Sequence, residues 1–292
     1  MMKSPEYTRL KKLVDAHILD YLPDIDPKSK TLYEAMSYSL TAGGKRLRPI
    51  LFLYAMEFGG MENVTEGLPY ACAIEYIQTY SLIHDDLPAM DDDELRRGKP
   101  TNHMVYGEWL ALLAGDALQA EAYSAVLRSA RPPRVRSEAA RILAEAAGYR
   151  GICGGQFLDL DGEERALSEA EINELNDGKT ASLIAATCMM GCACAEAYDK
   201  LPAADACGRA MGIAFQLRDN LLDVESSTAE LGKPVGSDEK NGKSTLLSLR
   251  GAEYCRRRVQ EETDRAVGIL RSDFGAPEFL IWLTQQLAGR KN

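Results

Sequence analysis

The chain has 292 residues, 46% of them hydrophobic, with 44 acidic against 34 basic side chains and a net charge of −10. That balance argues against a nucleic-acid-binding surface, whose affinity would come from basic patches. It leaves room for a small anionic substrate met by local cations or a metal. Seven cysteines without a CxxC pair read as free thiols in a reducing cytoplasm. No N-terminal signal core is present, and no apolar run reaches the ~20 residues of a membrane-spanning helix.

In chain order, helical spacing dominates. Leu32, Met36 and Leu40 recur at i, i+4 and i+8. A Gly-rich cationic segment, Gly43-Gly44-Lys45-Arg46-Leu47-Arg48-Pro49, follows. The apolar run Ala71 to Leu82 predicts a helix bearing Gln78, Tyr80 and Ser81 and leading into His84, which reads as a packed helix residue. Trp109, Leu112 and Leu113 mark another helix, with Asp116 read as a buried hydrogen-bonding acid. His17 and His103 read as surface or supporting residues. Breaks fall at Tyr21–Asp24, Gly59-Gly60, Arg131–Arg134, Gly162–Glu164 and Gly275–Pro277. Ser168 to Glu171 fits a capping box that opens a helix. Ala181 to Ala195 predicts a short buried helix. Glu230 to Lys243 is the one long irregular stretch, of a length that is more often functional than idle. Alternating β-branched runs are missing, so the pattern predicts an all-α fold in a single domain, residues 1–292.

Two acidic clusters carry the chemistry. His84-Asp85-Asp86-Leu87-Pro88-Ala89-Met90-Asp91-Asp92-Asp93-Glu94 concentrates six acids without Cys or His ligands beyond His84. A hard ion such as Mg²⁺, completing its shell with water and substrate phosphates, suits that donor set. Arg96 and Arg97 then offer fork-shaped donors to phosphate oxygens. A solvated charged loop is the bland alternative. On an unbroken helix Asp85 and Asp91 would point roughly 240° apart. They meet one metal only if the helix stops between them, as Pro88 dictates. Were the helix to run through, Asp92 would be the partner of Asp85. The second cluster puts Asp219 and Asp223 at i, i+4 on one helix face.

Together these segments resemble the short-chain polyprenyl (trans-isoprenyl) diphosphate synthases, on the bacterial farnesyl diphosphate side of that family. The resemblance covers about Leu32 to Thr245. It rests on Gly43–Pro49, Asp85–Asp91 with Arg96-Arg97-Gly98, Gly154-Gly155-Gln156 with Asp159, Lys179-Thr180, Phe215-Gln216 leading to Asp219–Asp223, and Leu231-Gly232-Lys233 with Gly236, Asp238, Lys243 and Thr245. It implies an isoprenoid-synthase helical bundle around a deep apolar cavity. The implied reaction is Mg²⁺-dependent head-to-tail condensation of isopentenyl diphosphate with dimethylallyl or geranyl diphosphate, and the implied assembly is a homodimer. Asp85, Asp91 and Asp219 would ligate Mg²⁺, with Asp86 and Asp223 in support. Arg96, Lys179, Lys233 and Lys243 would meet the allylic diphosphate, and Lys45, Arg48, Gln78 and Arg97 the isopentenyl one. The Lys179 carbonyl, Thr180 and Gln216 would flank the developing cation. Tyr80, five residues before Asp85, would close the hydrocarbon pocket, with the small Ser81 letting chain pass. Asn220 stands where the family usually has Asp. Rival readings are a geranylgeranyl diphosphate synthase, a terpene cyclase and a non-catalytic partner subunit. Asp223 and the Gly43–Pro49 anchor disfavour the cyclase, and the intact set of acids and cations disfavours the subunit.

Overall fold

A computed structural model describes residues 4–58, 60, 61, 63–225 and 244–289. Among them the protein is built of helices: α1 (Pro5–His17), α2 (Lys30–Thr41), α3 (Leu47–Phe58), α4 (Leu68–Asp85), α5 (Asn102–Tyr106), α6 (Glu108–Arg128), α7 (Pro133–Ala147), α8 (Ile152–Glu164), α9 (Glu169–Asn176), α10 (Ser182–Cys194), α11 (Leu201–Glu225), α12 (Leu246–Asp273) and α13 (Glu278–Gly289). The all-α expectation holds. The single sheet is a two-residue ladder, β1 (Leu95–Arg96) against β2 (Lys99–Pro100). Its two turn residues, Arg97 (φ 55) and Gly98 (φ 75), are both left-handed, as a tight two-residue hairpin turn demands.

The central helices are apolar on nearly every side, which is what a helix surrounded by other helices requires. Ile74, Tyr76 and Ile77 of α4, and Leu183, Ile184, Met190 and Ala193 of α10, are fully enclosed. Each large side chain so buried contributes roughly 1.5–3 kcal/mol relative to exposure. Small residues let these helices cross closely. A Cβ at Gly208 or Gly212 of α11 would collide with the backbone of Ala185 or Ala181. The expected buried helix within 181–195 is therefore a packing centre. The seven cysteines are all free thiols, six of them buried.

Local signals behave as their chemistry predicts, with exceptions. Ser168 and Glu171 form a reciprocal capping box at the start of α9. The break expected over Gly162–Glu164 falls at its last residue, where α8 ends, and Gly162 is the small residue that lets Leu167 pack against it. Asp116 is exposed rather than buried. His103 is buried, its Nδ1 paired with the Thr101 hydroxyl at 3.2 Å. Trp109, Leu112 and Leu113 face outward, so their helical spacing marks a surface stripe and not a core face. The 230–243 stretch, with Lys233 and Lys243, and the tail from Arg290 lie outside the described residues. Within the described residues no helix is long and apolar enough to cross a membrane.

Candidate active site

α4 ends at Asp85, and the chain folds back immediately. The Leu87 amide donates to the His84 carbonyl at 3.1 Å, and the Asp91 amide to the Asp85 carbonyl at 2.9 Å. Pro88 cannot extend the helical ladder, so two acids that a straight helix would separate are tied together through the backbone. Burial pushes the Asp85 carboxyl above the usual carboxylate range. Lys179 and Arg96 pull it down, while Asp91 and Asp159 add like charge. These five charged groups thus share one neighbourhood, drawn from α4, its following loop, the hairpin, α8 and the segment before α10.

Asp86 turns elsewhere. Its carboxylate accepts from Arg96 Nε at 2.5 Å, and Arg96 also reaches Asp93 at 3.1 Å. Burial raises the Asp86 carboxyl to about 6 against the pull of Arg96. The geometry makes Asp86 the anchor of Arg96.

Lys179 and Thr180 sit in a single π-helical turn, Asp177–Ala181. Such wide turns recur at functional sites, and this one has identifiable supports. The Ser182 hydroxyl donates to the Gly178 carbonyl at 2.5 Å, and Arg209 of α11 holds Asp177 at 2.5 Å. A Cβ at Gly155 would fall on the Lys179 backbone nitrogen, so the Gly154-Gly155 pair brings α8 directly against the turn. Lys179 Nζ meets Asp159 at 2.5 Å, and the Thr180 hydroxyl donates to Gln216 at 2.6 Å. The latter bond ties the turn to α11 one helical turn before Asp219. Asp219 is half-buried, whereas Asn220 and Asp223 are buried.

A second cationic group lies at the start of α3. Gly43 (φ 88) and Gly44 (φ 126) adopt conformations that glycine tolerates best. The Arg97 guanidinium donates to the Gly43 carbonyl and occupies the space a Gly44 side chain would need. Burial lowers Arg48 to about 10, opposed by Glu75 and Asp219. Arg48 therefore stands within electrostatic reach of the second acidic cluster, with Arg97 adding like charge. Arg48, Arg97 and Lys45 gather at the start of α3, the chemistry of a polyanion site. Gln78 of α4 is half-buried.

Tyr80 is 5% exposed. Its hydroxyl lies 3.5 Å from the Ala147 carbonyl and 4.0 Å from Cys153 Sγ, and its ring meets His84 edge-on. Ser81 is buried with its hydroxyl on the Gln78 carbonyl at 3.1 Å. Tyr80 thus reaches from α4 to the ends of α7 and α8, as a residue closing a channel would.

Several participants carried no assigned role in the sequence. Asp159 belongs to a quoted segment, yet its pairing with Lys179 emerges only in three dimensions. Glu75 had a visible signal, a lone carboxylate inside an apolar helical run. Gln156 is buried with both amide atoms unpaired among the described residues.

Carboxylates and cations converging at the ends of apolar helices define an enzyme that handles diphosphates. The chain belongs to the polyprenyl synthetase family, whose model matches residues 29–276. It is 44% identical over 253 residues to the farnesyl diphosphate synthase of Geobacillus stearothermophilus, covering 83% of this chain and 84% of that one. It is 45% identical over 242 residues to the farnesyl diphosphate synthase of Escherichia coli (strain K12), covering 80% and 79%. Among solved structures, the geranylgeranyl pyrophosphate synthetase of Pyrococcus horikoshii Ot3 superposes with a TM-score of 0.86 at 33% identity, over 98% of each chain.

Proposed function

We propose that this chain is a prenyltransferase that condenses isopentenyl diphosphate with dimethylallyl and then geranyl diphosphate, releasing farnesyl diphosphate. The carrying observation is the backbone tie between Asp85 and Asp91 opposite Lys179 and Arg96. It puts paired carboxylates and phosphate-binding cations around one point.

The donor set fits Mg²⁺. It is all oxygen, and the bond from the Asp91 amide to the Asp85 carbonyl keeps two of its carboxylates in one loop. That pattern suits an ion held by one or two carboxylates and completed by phosphate oxygens. Asp85, Asp91 and Asp219 would ligate a Mg²⁺ cluster of that kind, with Asp223 in support. Bound there, Mg²⁺ supplies Lewis-acid neutralisation of the departing diphosphate. Lys179 and Arg96 meet the same oxygens. Lys45, Arg48, Gln78 and Arg97 hold the isopentenyl diphosphate. As the allylic C–O bond breaks, the Lys179 carbonyl, the Thr180 hydroxyl and Gln216 present oxygens to the developing cation. The isopentenyl double bond then forms the new C–C bond, and the proton lost passes to the released diphosphate. We further propose a cytoplasmic homodimer, supported by the exposed apolar stripe on α5 and α6.

The purified chain, supplied with Mg²⁺ and both substrates, should yield farnesyl diphosphate as its main product by liquid chromatography. No turnover would return the partner-subunit reading, and mostly geranylgeranyl diphosphate would return the longer-product one. Tyr80, bulky and closed against α7 and α8, favours the shorter product.

A further inference from the structure

Arg46 stands between Lys45 and Arg48, yet it cannot meet a substrate. It is 3% exposed, and its guanidinium nitrogens are all engaged. Nε donates to Asp15 of α1 at 2.8 Å, Nη1 to Glu75 of α4 at 2.6 Å, and Nη2 to the Leu40 carbonyl at the end of α2 at 2.5 Å. Its backbone is left-handed, with φ 50, a conformation a bulky residue holds only when its surroundings enforce it. One residue back, the Tyr7 hydroxyl of α1 donates to the Lys45 carbonyl. The turn bearing Lys45 and Arg48 is therefore gripped from α1, α2 and α4 at once.

The partner of Arg46 is itself unusual. Glu75 is 3% exposed and faces Arg48 and Arg97 as well as Arg46. A buried carboxylate without a close partner would seek another cation. With Arg46 at 2.6 Å, Glu75 is occupied, and the guanidinium groups of Arg48 and Arg97 stay available to an anion.

Resting on the assignment of Lys45, Arg48 and Arg97 to isopentenyl diphosphate, we propose that Arg46, gripped by Glu75 and Asp15, is a positioning residue for that substrate. It enforces the left-handed turn and withholds Glu75 from the two arginines that bind the diphosphate. Removing its charge lets the turn relax and frees Glu75 to pair with Arg48 or Arg97.

The test uses full-length Arg46→Met, Asp15→Asn and Lys45→Ala proteins, with KM measured for each substrate and amide hydrogen exchange followed over residues 43–48. Arg46→Met should raise KM for isopentenyl diphosphate about tenfold or more, leave that for geranyl diphosphate within about twofold, and speed exchange in the turn. Asp15→Asn removes only a half-exposed partner, so it should fold even if Arg46→Met does not. It should show the same selectivity at about threefold. Unchanged exchange in the turn, or equal KM effects on both substrates, overturns the inference. So does faster exchange with an unaltered isopentenyl KM while Lys45→Ala still raises that KM. If Lys45→Ala leaves that KM unaltered as well, the assignment of the second diphosphate site is what fails.

Discussion

Asp85 and Asp91 carry like charge, and the fold spends a backbone hydrogen bond on bringing them together. Burial and the neighbouring carboxylates raise Asp85 against the pull of Lys179 and Arg96, so a further cation beside it would favour its charged form. Asp219 lies on α11 three residues after Gln216, which accepts from the Thr180 hydroxyl. Asp85→Ala or Asp219→Ala should therefore lower kcat by at least about 10²–10³-fold, the scale of losing one stabilising group at a developing charge. Near-normal turnover of either variant at saturating Mg²⁺ would refute the two-motif site. Asn220, which stands where the resemblance leads one to expect Asp, is buried beside the half-buried Asp219. The role proposed for Tyr80 concerns the hydrocarbon and not the diphosphate. Its ring spans from α4 to the Ala147 carbonyl and Cys153, and truncation opens that end. Tyr80→Ala should shift the product distribution toward C20 and longer chains by liquid chromatography, and an unchanged profile would reduce Tyr80 to a packing residue.

Two kinds of close helix contact look alike at the level of elements but differ in what they hold. Gly155 lets α8 touch the π-helical turn, and Gly208 lets α11 touch Ala185 within α10. An added methyl group at either place forces backbone apart, at about 1–3 kcal/mol. Only the first contact bears on Lys179, so Gly155→Ala should lower kcat about tenfold or more beyond what its stability loss explains. Gly208→Ala should lower the melting temperature with kcat kept within about threefold. Equal kinetic losses in both would mean that the turn has no special role. These contacts also show where sequence reasoning stops. The helix stop at Pro88, the Ser168 capping box and the buried 182–194 helix are local events, governed by residues a few positions apart, and were legible. Asp86 turning to Arg96, Asp159 meeting Lys179 and Glu75 facing three arginines depend on which helices pack together. No spacing rule encodes that. The stripe of α6 marked its helix but not its direction, because a period of 3.6 reports that one face is apolar, not which way it points.

At the scale of the whole molecule that stripe is the largest feature the isolated chain leaves uncovered. Met104 and Val105 of α5 and Trp109, Leu112 and Leu113 of α6 are all exposed, Trp109 at 69%. Large contiguous apolar patches on soluble proteins mark interfaces, and a single helical face matched with itself suits a two-fold pair. The stripe is mechanically close to the chemistry. His84 Nε2 bonds to the Leu112 carbonyl at 3.0 Å, and His84 immediately precedes Asp85. A Cβ on Gly115, one turn along α6, would strike the same imidazole. Covering α6 therefore steadies the end of α4 from which the metal carboxylates project. The wild-type chain should sediment as a dimer at micromolar concentration. Leu113→Glu, which sets like charges against each other across a two-fold contact, should sediment as a monomer with an intact helical spectrum. Its kcat should fall with dimer content and recover at protein concentrations that restore the pair. A monomeric wild type, or a Leu113→Glu protein that stays dimeric, would rule this face out as the interface. A monomeric variant with full activity would keep the interface but remove its link to Asp85.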